Sequence, residues 1–133
     1  MIKKILILSY YAPPLNGVSS YRVKSFLDYF PEKNLQVTLI SRSWKESFTN
    51  WNELLSKNNE EFSQKIDKKG NTIYYLPFKS TAIKSKFKIL NKLQYFMKWI
   101  SGYLQPEVDF YRYKNFCFQL LEKEKFDYVL ATV

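Results

Sequence analysis

The residues best placed to do chemistry lie near the start of the chain: Tyr10, Tyr11, Asn16, Gly17, Ser19 and Arg22, with Arg42 further on. Gly17 allows a backbone angle or a close approach that a side chain would forbid. Ser19 or Ser20 can cap a following helix, whose first amides lack internal partners and attract an anion. Arg22, expected in the first turn of that helix, can add a guanidinium fork for a phosphate or a carboxylate. Such a set binds a polar or anionic ligand; it does not attack one. The chain contains no histidine. Its one cysteine, Cys117, stands between Phe116 and Phe118 and reads as a core thiol rather than a nucleophile. Asp109 and Asp127 suit helix capping and a strand boundary. No catalytic residue, metal site or cofactor is read from the sequence. A plainer account stands beside the binding one: Pro13, Pro14 and Gly17 only turn the chain, and Arg22 is a solvated surface residue.

These residues need elements to position them. The run Lys4-Ile5-Leu6-Ile7-Leu8 is short, uninterrupted and β-branched, as in a parallel strand buried on both faces. Val23, Phe26, Leu27 and Phe30 recur at helical spacing, and Val37-Thr38-Leu39-Ile40 reads as a second strand. A right-handed crossover between two parallel strands puts the loop from Tyr10 to Ser20 at the carboxyl edge of the sheet, where open α/β folds bind ligands. Arg42, directly after the second strand, falls on the same edge.

Further along, Leu54, Leu55, Phe62 and Ile66 suggest a helix interrupted by the polar run Lys57-Asn58-Asn59-Glu60-Glu61. Lys68-Lys69-Gly70-Asn71 reads as a turn, and Thr72-Ile73-Tyr74-Tyr75-Leu76-Pro77 as a strand that ends at its proline. Phe110, Tyr113, Cys117, Leu120 and Leu121 mark the inner face of a late helix capped by Asp109, and Tyr128 to Thr132 form a last strand. No linker or repeat divides the chain, so residues 1–133 are expected to form a single α/β, Rossmann-like three-layer domain. Its parallel sheet is expected to have three to four strands, with an apolar edge at the last. Most aromatic residues, Phe26, Phe30, Tyr75, Phe116 and Phe118 among them, are expected to pack the core.

Charge is uneven. The formal net charge is +9, and between Lys79 and Leu104 six lysines occur without an acidic residue. Ile83, Phe87, Leu90, Leu93, Met97 and Ile100 repeat there every three to four positions, which reads as a basic amphipathic helix. Lys84, Lys88, Lys92 and Trp99 on such a helix suit an anionic membrane surface; a surface helix with solvated lysines is the plainer account. Nucleic acid is the other partner that basicity suggests, yet no recognition motif accompanies the charge. No apolar run approaches the eighteen or more residues of a membrane span, and the apolar stretch after Lys4 is too short for a signal peptide. A cytoplasmic protein is the expectation, with peripheral attachment at the inner face of the cell membrane as the alternative that the basic helix adds.

The segment from Lys4 to Pro14, with Gly17, Ser20-Tyr21-Arg22-Val23 and Gln36-Val37-Thr38-Leu39-Ile40-Ser41-Arg42, resembles the amino-terminal domain of family 4 retaining glycosyltransferases of the GT-B fold. Phe126 to Thr132 resembles a later strand of that domain. The resemblance implies a domain on the acceptor side of a cleft, with a nucleotide-sugar donor held by a carboxyl-terminal domain. It also implies a glycan or lipid-linked acceptor for surface-polysaccharide or glycolipid assembly. Two adjacent glycines common in relatives are here Gly17 and Val18, and the paired-glutamate donor motif is not found. At this length the chain is expected to be one incomplete half, inactive in sugar transfer without a donor domain or a companion chain that supplies it. A non-catalytic, basic, membrane-associated binding module is the competing expectation. A dinucleotide-binding domain is disfavoured because the loop lacks Gly-x-Gly-x-x-Gly.

Overall fold

The structure, a computed structural model, describes residues 2–15, 17–44, 62–77, 92, 93, 96 and 108–132. Its elements are β1 (Lys3–Ser9), α1 (Val18–Tyr29), a short 3-10 turn (Pro31–Lys33), β2 (Leu35–Arg42), β3 (Ser63–Ile66), β4 (Thr72–Leu76), α2 (Val108–Lys123) and β5 (Tyr128–Thr132). The five strands form one sheet in the order β3-β4-β2-β1-β5. β1 runs parallel to β2 and to β5, and β2 runs parallel to β4. β3 pairs antiparallel with β4. The domain is therefore α/β with a mixed, mostly parallel sheet.

The uninterrupted apolar runs are explained by burial on both faces. Ile5, Ile7, Val37, Leu39, Ile73 and Tyr75 pack with Val23 and Leu27 of α1. Leu6, Ile40 and Leu76 point the other way and pack with Leu120 of α2. A strand covered by helices on both sides has no polar face to show, hence the absence of alternation in β1 and β2. Each side chain of this size contributes roughly 2 kcal/mol when fully buried.

The end of α1 is set by a proline. Leu27 would normally receive a hydrogen bond from the amide four residues on, but that residue is Pro31, which has no N–H. Asn71, 1% exposed, supplies the missing donor: its Nδ2 gives a hydrogen bond of 2.8 Å to the Leu27 carbonyl. Asn71 is held by Asp67, which accepts from the Asn71 amide at 2.9 Å and from Nδ2 at 2.7 Å. Between them Gly70 takes φ 80°, a left-handed conformation that favours glycine. Lys69, on the same turn, donates to the Asp28 carbonyl at 2.6 Å, placing a cation at the negative end of the α1 dipole.

Four expectations are corrected. The sheet has five strands rather than three to four, one of them antiparallel. Phe62 and Ile66 belong to no helix: Ser63–Ile66 is an edge strand whose outward residues are polar or exposed. Asp109 lies inside α2, which begins at Val108, so it is not the cap. Phe118 and Leu121, at 55% and 41% exposed, face away from the core that Leu120 enters. The helix suggested around Leu54 and Leu55 lies outside the described residues.

At the opposite edge, the start of β5 is clamped to β1: the Lys4 amide donates to Asp127 Oδ2 at 2.7 Å, and the Asp127 amide donates to the Lys4 carbonyl at 2.9 Å. β5 pairs on one side only among the described residues, and Val129 on it is 57% exposed.

Candidate functional site

From β1 the chain proceeds outward to β2 and then β4 on one side, and returns to β5 on the other. The strand order thus reverses at β1. In open α/β sheets the crevice outside the carboxyl ends of the strands at such a reversal is the place for a ligand. The loop that begins at Tyr10 leaves β1 there, since Ser9 pairs with Thr132 at the carboxyl end of β5.

The loop is shaped by side chains that grip its carbonyls. The Trp44 indole Nε1 donates to the Tyr10 carbonyl at 2.8 Å, and Ser41 Oγ reaches the same oxygen at 3.4 Å. Ser9 Oγ donates to the Tyr11 carbonyl at 2.8 Å, and the Tyr75 hydroxyl to the Pro13 carbonyl at 2.8 Å. The Leu15 amide closes a turn onto the Ala12 carbonyl at 3.2 Å. Prolines have no amide to offer, so Pro13 and Pro14 themselves can be tied down only through their oxygens.

Around these tethers stands an aromatic cluster with an arginine in it. Arg42, 2% exposed, donates from Nη1 to the Tyr10 hydroxyl at 2.8 Å. Its guanidinium carbon lies 4.0 Å from the Trp44 ring centroid and 5.4 Å from that of Tyr10. Tyr11 stacks on Trp44 with centroids 5.6 Å apart and planes at 20°. Tyr10 meets both rings nearly at right angles. Edge-to-face and offset contacts of this kind add about 1 kcal/mol each to the burial of the rings.

The candidate residues are distributed as follows. Tyr11 is half-buried at the rim. Arg42 is beneath the rim rather than on it, its cation spread over Trp44 and Tyr10. Gly17 is the N-cap of α1 in an extended conformation with φ −171°, which any residue adopts, and a Cβ there would meet nothing within 4 Å; no backbone constraint requires glycine. Ser19 and Ser20 lie inside α1, and among the described residues no side chain caps it. Ser20 is buried against the sheet and Ser19 half-buried. Arg22 is an exposed residue at the start of the second helical turn rather than in the first. Asn16 lies outside the described residues, as do Lys84, Lys88 and Trp99. Lys92 is helical and exposed, beside exposed Leu93 and Phe96.

The sequence pattern places Tyr75 in the core and gives Trp44 no role, yet both side chains anchor the loop. Aromatic residues with a polar tip placed near strand ends were the available signal. Among the described residues no group of acidic, cysteine or histidine side chains is arranged to hold a metal ion. No described helix is long and apolar enough to cross a membrane. Burial raises the Cys117 thiol above its ordinary value, which keeps it protonated and unreactive. No protein-family model matches the sequence, and no curated protein or solved structure matches it.

Proposed function

We propose that this chain is the acceptor-side domain of a retaining, family 4-like glycosyltransferase, the Rossmann-like amino-terminal half of a GT-B fold. One observation carries the reading: the tethered loop from Tyr10 leaves the sheet at its carboxyl edge, where the strand order reverses. The parallel strands lie in the order β4-β2-β1-β5, third, second, first and fourth among the parallel ones along the chain, as at the start of doubly wound nucleotide-binding sheets. The resemblance of residues 4–14, 17, 20–23, 36–42 and 126–132 to that family agrees with this order.

In this reading the rim is one wall of a cleft, and a donor-binding domain or companion chain forms the other. The acceptor, a surface polysaccharide or a glycolipid, lies against Tyr11 and the turn of Ala12 to Leu15. The amides that open α1 near Gly17, with Arg22, face the negative charge that develops as the sugar leaves its nucleotide. Domain closure excludes water and completes the site. Arg42 supports this wall from behind.

The test is sugar transfer. The protein as its gene encodes it, with any companion chain from a neighbouring gene, is incubated with radiolabelled nucleotide sugars and a membrane-lipid extract. Transfer to the lipid fraction with retention of anomeric configuration is the expected result. No transfer from any nucleotide sugar by a folded protein that carries a donor-binding domain or is joined by its companion chain overturns the reading, and so does the lack of any such domain or companion.

A second reading, a non-catalytic, basic, membrane-associated binding module, is favoured by the exposed helical residues Lys92, Leu93 and Phe96. A cation beside two exposed apolar side chains suits the boundary between water and anionic lipid. Both readings place the protein in the cytoplasm at the inner face of the membrane.

A further inference from the structure

Tyr75 lies in β4, which is separated from β1 by β2 in the sheet. Its ring is in the core with Ala12, Val23 and Leu39, and the residue is 7% exposed. A buried phenol needs a partner for its hydroxyl, and here that partner is the Pro13 carbonyl in the loop after β1, 2.8 Å away. Ser9, Ser41 and Trp44 also tether this loop, from β1 itself and from the end of β2 and just past it. Tyr75 reaches it from β4, and it does so at the proline pair, where the chain has no amide hydrogen to contribute. The same contact stands next to the turn closed by Leu15 and Ala12. Holding Pro13 therefore holds the turn.

We propose that Tyr75 is a positioning residue of the rim: its core-anchored hydroxyl fixes the Ala12–Leu15 turn in the place where the ligand meets it. The inference rests on the reading of that rim as a ligand wall. It assigns Tyr75 no contact with ligand; the hydroxyl acts through Pro13.

Tyr75→Phe removes one oxygen and keeps the ring. Amide hydrogen exchange on the chain is expected to show Leu15 exchanging about fivefold faster, the equivalent of one hydrogen bond. The sheet amides of Leu6 and Leu39 should be unchanged. Cys117→Ala, on the opposite face of the sheet, controls for general loosening and should leave Leu15 as in the wild type. In the sugar-transfer assay Tyr75→Phe should raise KM for the acceptor about fivefold with kcat unchanged, the pattern of lost ground-state positioning. Unchanged Leu15 exchange overturns the proposal, and so does faster exchange with an unaltered KM. If the wild type transfers no sugar, the glycosyltransferase reading fails separately, and Leu15 exchange still decides whether Tyr75 fixes the turn.

Discussion

The guanidinium of Arg42 lies against the indole of Trp44, 4.0 Å from carbon to ring centroid, while its Nη1 donates to the Tyr10 hydroxyl. Two rings from different parts of the chain are thereby fixed by one planar cation. A lysine supplies the charge but neither the plane nor the fork. Arg42→Lys is therefore expected to lower unfolding free energy by about 2 kcal/mol, the combined scale of a charge-assisted hydrogen bond and a buried cation–π contact. Urea denaturation measures this. In a double-mutant cycle with Tyr10→Phe, the coupling energy should be about 1 kcal/mol. A lysine variant as stable as the wild type would show that the arginine's geometry is immaterial.

Asn71 replaces the amide that Pro31 cannot provide, and it is nearly inaccessible to water. Removing its side chain leaves the Leu27 carbonyl without this donor and removes the partner of Asp67 Oδ2. Asn71→Ala should cost about 2 kcal/mol, within the range for a buried polar group that loses its partner. Lys69→Met, which removes an exposed ion pair with Glu32 at 3.2 Å and the exposed hydrogen bond to the Asp28 carbonyl, should cost about 1 kcal/mol, and the loss should shrink in high salt. Equal costs for the two variants would contradict this account of how α1 ends.

The strands of the core were legible because burial on both faces writes itself into composition. Thr72–Leu76 and Tyr128–Thr132 coincide with their expected bounds, and β1 and β2 extend only slightly beyond theirs. The inner residues of α1, Val23 and Leu27, show at helical spacing for the same reason. β3 was illegible: Ser63-Gln64-Lys65-Ile66 is a short edge strand with no buried face, and the spacing of Phe62 and Ile66 imitates a helix. The rim was legible only as a location. That the hydroxyl of Tyr75 reaches Pro13, or that Trp44 turns its indole to Tyr10, depends on how three strands align. Local periodicity carries no trace of such alignment.

Three groups should weaken the fold at alkaline pH. Burial raises Tyr74, Tyr75 and the Cys117 thiol above their ordinary values. In the unfolded chain each ionises at a lower pH than in the folded one, so the folded state holds more protons over that interval. Stability therefore falls as pH rises. The contribution is complete below the ordinary thiol value of 9.0 and declines through and above the ordinary tyrosine value of 10.0. Thermal denaturation between pH 8 and 10.5 should show a falling midpoint, and Cys117→Ala should flatten the earlier part of the decline. A midpoint that does not fall would mean that these groups ionise as freely in the fold as outside it.

Lys92, Leu93 and Phe96 are each helical and exposed, and the sequence places Lys84 and Lys88 upstream at spacings of four. Near an anionic surface each lysine contributes about 1 kcal/mol, so reversing three charges should reduce partitioning by at least about a hundredfold. Sedimentation with phosphatidylserine vesicles compares the wild type with the Lys84→Glu, Lys88→Glu, Lys92→Glu variant. The wild type should pellet at low salt and be released as ionic strength rises, because the attraction is screened within about 10 Å at 0.1 M. Leu93→Ser with Phe96→Ser should weaken binding at every salt concentration, since burial of apolar side chains is not screened. Equal, salt-insensitive recovery of wild type and charge-reversed protein would leave these lysines as solvated surface residues and remove the membrane from both functional readings.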